Sequence, residues 1–125
     1  MNRDVVMRRV LVVGALFNFF VVVIVLFPDT LGRFADLPVP VSRFYTWLLA
    51  LFIGLFGAAY AWLSRRPTID RPLVALATVG KIGVFVVALL CWQLGDISAK
   101  AFGPAIVDLL FALIFLWWLR ANPRA

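Results

Sequence analysis

Four long apolar runs leave this chain few ways to fold. They extend from Val10 to Phe27, from Phe44 to Leu63, from Pro72 to Leu94, and from a start between Ile97 and Pro104 to Leu119. Each is close to the ~20 residues an α-helix needs to cross the hydrocarbon of a bilayer. Backbone in lipid must satisfy its own N–H and C=O groups, so runs of this kind are read as spanning helices. The predicted helices cover residues 8–27, 44–63, 72–94 and 98–120, joined on one side by a long loop over 28–43. Short connections set consecutive helices side by side and antiparallel, which predicts an all-α, up-down-up-down integral membrane bundle. With 125 residues, 65% of them apolar, the chain reads as a single transmembrane domain, 1–125.

The first run follows Arg8 and Arg9, as a signal sequence would. Its apolar stretch is longer than a signal core and no small-x-small cleavage site follows closely, so it is read as a retained helix. In the long loop, Pro28, Pro38 and Pro40 forbid one continuous helix. Leu31, Phe34 and Leu37 recur every three residues, which suits a short helix on the membrane surface or a loop packed over helix ends.

Basic residues set the expected orientation. Arg3, Arg8, Arg9, Arg65, Arg66, Arg71, Arg120 and Arg124 flank one side of the runs; Arg33, Arg43 and Lys100 flank the other. Eight against three places both termini and the middle connection in the cytoplasm. The net charge of +6 is therefore read as lipid-facing and topological, with no nucleic-acid partner expected. Aromatics gather near run ends: Phe44, Tyr45, Trp47 and Trp92 at one interface, Tyr60, Trp62, Trp117 and Trp118 at the other. Amphipathic rings are expected there as an interfacial belt.

The chain has no His, no Glu and one Cys. Zinc and redox sites draw on His, Cys and Met, so neither a metal site nor an enzyme is expected. Cys91 is read as a small packing residue.

The informative polar residues lie inside the runs. Lys81 sits deep in the third, where an unpaired charge is costly, and Asp108 in the fourth is its natural partner. At ~1.5 Å of rise per residue, Lys81 and Asn18 lie roughly 13 Å from the arginine-rich side and Asp108 roughly 18 Å. Three helices thus contribute to one polar layer, with Tyr60 as the candidate from the second. Gly14, Ala77, Thr78, Gly80, Gly83 and Ala112 flank the layer, and Gly54/Ala58 and Gly57/Ala61 form small-xxx-small pairs, a spacing that lets helices approach closely. Two readings are open: an ion pair that fixes helix register, or a proton or ligand site. Gln93 and Asp96 are read as a turn and cap, and Pro104 as opening the last helix or kinking it before Asp108.

In its length, four spans and the segments Gly14-Ala-Leu-Phe-Asn18, Gly80-Lys-Ile-Gly83 and Asp108-Leu-Leu-Phe-Ala112, the chain resembles the small bacterial membrane proteins of the DoxX-like group. That resemblance implies a bacterial inner membrane and a quinone-coupled or redox-accessory role. The absence of Glu separates the chain from small multidrug-resistance transporters. Lone Asn18 and the biased charge separate it from dual-topology fluoride channels. The resulting expectation is a non-enzymatic membrane protein: an accessory subunit, or a binder of a small lipophilic molecule such as a quinone or lipid. Its partners would be the bilayer and a homo-oligomer or larger complex. The alternative is an oligomeric transporter or channel with Asp108 and Lys81 as a proton-coupled site.

Overall fold

The computed structural model describes residues 2–39 and 41–121; Pro40 and Arg124 lie outside them. Four helices follow one another: α1 (Arg3–Leu26), α2 (Arg43–Arg65), α3 (Arg71–Gln93) and α4 (Ala99–Ala121). All four are long and apolar enough to cross a membrane, which makes this a multi-pass membrane protein. The helix ends follow local chemistry. Asn2 caps α1 by accepting from the Asp4 N–H at 2.8 Å, so α1 begins five residues before its expected start. Asp70 caps α3 through the Leu73 N–H, with Pro72 in its first turn. Gly95, at φ +81°, ends α3: its N–H donates to the Trp92 carbonyl and that of Asp96 to the Cys91 carbonyl, the paired closure that a left-handed residue allows. Asp96 thus belongs to this turn, and the cap of α4 is Ser98, whose Oγ accepts from the Ala101 N–H. Pro104 lies inside α4, in its second turn.

Between α1 and α2 the chain makes a π-helical turn, Pro28–Gly32, closed by the Gly32 N–H on the Phe27 carbonyl, and stays helical through residue 34 before turning at 35–36. The first half of the loop is thus a short helical segment. Phe34 projects with 77% of its surface exposed and meets the Lys100 ammonium 4.7 Å from its ring centroid, tying this loop to the start of α4.

Side-chain links establish the topology. Arg8 of α1 donates to the carbonyls of Ser64, Arg66 and Pro67 at the end of α2. Arg71, opening α3, donates to the Leu119 carbonyl near the end of α4 at 2.6 Å. Arg3 donates to the Ala121 carbonyl at 2.8 Å, and the Trp118 indole donates to Asp4 at 2.9 Å. The start of α1, the end of α2, the start of α3 and the end of α4 therefore share one arginine-rich end. The final carbonyls of a helix have no partner within it, and these guanidiniums supply one.

Within this up-down-up-down bundle, α1 packs closest on α2, and α3 on α4. The contiguous core lies level with Lys81 or towards the arginine-rich end. It joins Met7 and Leu11 of α1, Tyr60 and Leu63 of α2, Val74 and Ala77 of α3, and Phe115 and Trp118 of α4. The opposite half is packed differently. From Ile82 to Gln93, α3 has no buried residue. Contacts within hairpins there include Trp92 stacked on Phe102 at 4.9 Å, Phe85 against Phe102, and Gly54 facing Val22, while Phe34 and Lys100 link the two hairpins. The two hairpins share a core over half their length.

Two aromatic assignments change. Phe44, Tyr45, Trp47, Trp62, Trp92 and Trp117 are exposed near helix ends, as a belt requires. Trp118 is 1% exposed because its indole N–H finds Asp4, and Tyr60 is 2% exposed within the core.

Candidate functional site: a polar thread through four helices

Lys81, Asn18 and Asp108 come together at matching depths, and Tyr60, expected nearer the arginine-rich end, turns its ring to the Lys81 ammonium. The Lys81 Nζ donates to Asp108 Oδ1 at 2.6 Å. It also donates, at a longer 3.4 Å, to Asn18 Oδ1. The Asn18 Nδ2 donates in turn to the Ile53 carbonyl of α2 at 3.0 Å. The thread runs α2 backbone, Asn18 of α1, Lys81 of α3, Asp108 of α4, so each helix contributes one polar group. The ammonium and the carbonyl fix the amide orientation, since its oxygen must accept from one and its nitrogen donate to the other.

Close approach of α1 and α2 makes the Asn18 link feasible. A Cβ on Gly57 would stand 3.1 Å from the Asn18 Cβ and 3.2 Å from the Phe19 ring. With no side chain there, Asn18 lies against the α2 backbone and reaches Ile53. Gly57 therefore packs inside the bundle, whereas Ala58 is exposed. Gly14 makes room for Tyr60 and Phe111, and Ala77, Thr78 and Ala112 are buried as expected. Gly80 and Gly83 are exposed instead of lining the layer.

Aromatic faces complete the surroundings of the ammonium. The centroids of Phe111, Tyr60 and Phe17 lie 5.1, 5.4 and 5.6 Å from the Lys81 Nζ, within the reach of cation–π attraction. Lys81 and Asn18 are 4% and 6% exposed. With two oxygen acceptors and three ring faces, the ammonium has its hydrogen-bonding and charge requirements met within the protein. The carboxylate is less enclosed: the Asp108 side chain is 15% exposed, and its hydrogen bond from Lys81 falls on Oδ1. The arrangement can hold four helices in register, and among the described residues Lys81 is the one donor to the Asp108 carboxylate, midway along the bundle.

Two rings of the cage, Phe17 and Phe111, were not among the site candidates read from the sequence, whereas Tyr60 was. Phe111 is three positions after Asp108 and Phe17 adjoins Asn18, so helical spacing carried a signal for Phe111. The Ile53 carbonyl carried none, because any residue supplies a carbonyl. Cys91 is half-buried and free, away from this layer. No known protein family, curated protein or solved structure matches the chain.

Proposed function

We propose that the protein is a non-catalytic membrane protein that binds a small lipophilic molecule between its hairpins, in the half of the bundle beyond Lys81. The observation that carries this reading is the Asp108 carboxylate: its side chain is 15% exposed although paired with Lys81, at the level where the contiguous core ends. Binding sites for small molecules are mostly apolar with a few convergent polar groups. The available group is an acceptor, because Lys81 is already saturated by Asp108, Asn18 and three rings. The fitting ligand is therefore an apolar molecule with a hydroxyl donor, such as a lipophilic alcohol, phenol or quinol. The ion pair itself serves as a register lock. The packed half between this layer and the arginine-rich end favours binding over transport, since its core is built of apolar side chains. The charge bias supports an orientation with the arginine-rich end in the cytoplasm.

Photolabelling tests the proposal. Two probes share an alkyl chain bearing a diazirine; one ends in a phenol and the other in a methyl group. The phenol probe is expected to label α3 between Ile82 and Gln93 and the facing start of α4, and the methyl probe to label exposed positions such as Leu51 and Leu55 without preference. Equal yields from both probes at the same positions would exclude a directed site.

A further inference from the structure

We propose that the arginine-rich end of α4 is a specific site for an anionic phospholipid, with Arg120 as the phosphate ligand. A shallow trough runs along the outward face of α4, lined by Leu113, Leu116, Trp117, Arg120 and Ala121. These positions follow helical spacing, so one stripe carries an aliphatic stretch, an indole and a guanidinium in order of approach to the helix end. Leu113 and Trp117 are exposed apolar surface, and Arg120 is exposed. From Leu113 to Arg120 the stripe climbs roughly 10 Å, which is enough to pass from acyl chains to headgroups. Among the described residues the Arg120 guanidinium has no ion pair, hydrogen bond or ring partner.

The surroundings favour an anion. A helix C-terminus ordinarily presents bare carbonyls and the negative end of its dipole. Here the Leu119 carbonyl accepts from Arg71 and the Ala121 carbonyl from Arg3, so two further guanidiniums cover that end. Two carboxylates at this end, Asp4 and Asp70, accept from neutral donors, the Trp118 indole and the Leu73 N–H, and keep their charge, but Arg3, Arg71 and Arg120 outnumber them. Three positive groups thus gather where α4 meets the headgroups. Zwitterionic lipids carry their own cation and gain little from this field. A phosphate of net negative charge gains from all of it, and Arg can bind it bidentately.

Quenching of tryptophan fluorescence by brominated-chain lipids tests the site in the full chain, reconstituted at fixed ionic strength. The Trp117 contribution is the difference between the wild type and Trp117→Phe. Brominated phosphatidylglycerol is expected to quench it at about fivefold lower mole fraction than brominated phosphatidylcholine, the preference contributed by one arginine near a membrane surface. Arg120→Gln is expected to remove that preference, and Arg65→Gln, an exposed arginine at the same end on α2, to leave it. Equal quenching by the two lipids, or equal loss in both arginine variants, would overturn the proposal. Reversal of the preference by millimolar inorganic phosphate, compared with chloride, would assign the site to free phosphate and overturn the lipid.

Discussion

Lys81 shows how a charge is kept inside a membrane bundle at one position. Its ammonium donates to Asp108 and Asn18, and the rest of its surroundings are aromatic faces. Removing one partner of such a pair leaves the other charge without compensation, at about 3–5 kcal/mol, whereas replacing both can be nearly neutral. Lys81→Met and Asp108→Asn are each expected to lower the melting temperature strongly in detergent, and the double variant to recover most of the loss. Additive single effects would show that the pair does not stabilise the fold. Gly57 is the second decisive position. Gly57→Ala forces a Cβ into Asn18 and Phe19, and overpacking of this kind costs about 1–3 kcal/mol. Gly83 has nothing within 4 Å of a new Cβ, so Gly83→Ala should be neutral or gain up to about 1 kcal/mol from helix propensity. Equal melting temperatures for the two glycine variants would contradict the close approach of α1 and α2.

Among elements, the four spans could be read from the runs of apolar residues because lipid imposes length and composition on every helix at once. Their ends were less visible. Hydropathy marks the buried length of a helix, while Asn2 and Ser98 mark where the helix starts. The polar layer was also visible, since Lys81, Asp108 and Asn18 are rare residue types at matching depths. What escaped were features set by rotation about the helix axes. Tyr60 and Trp62 sit two positions apart near the same end, yet one faces the core and the other lipid. Trp117 and Trp118 divide in the same way, because Asp4 offers the Trp118 indole an acceptor. Gly80 and Gly83 share a run with Lys81 but turn outwards. Composition near a helix end does not determine such facing; it follows from which neighbours the completed bundle provides.

On the scale of the whole molecule, the bundle has two unlike halves. Two alanines on α3 report on them independently of any ligand. Ala77 is buried in the shared core, and Ala77→Leu is expected to cost about 1–3 kcal/mol by overpacking. Ala88 is only half-buried in the other half, and Ala88→Leu is expected to change stability by less than about 0.5 kcal/mol. Thermal unfolding of both variants in one detergent checks the contrast; matching losses would mean that the hairpins are packed equally along their length.

The link between Asp4 and Trp118 spans 114 positions of sequence. During synthesis the ribosome delivers Asp4 long before Trp118, and Arg3 likewise waits for Ala121. The first hairpin can settle on its own glycine contacts, but its opening turn remains unfastened until the fourth helix enters the membrane. Insertion of α4 is then the step that commits the chain. A nascent protein stalled before it would expose Arg3, Asp4 and the uncompensated Lys81 together, a combination that membrane quality control can recognise as unfinished.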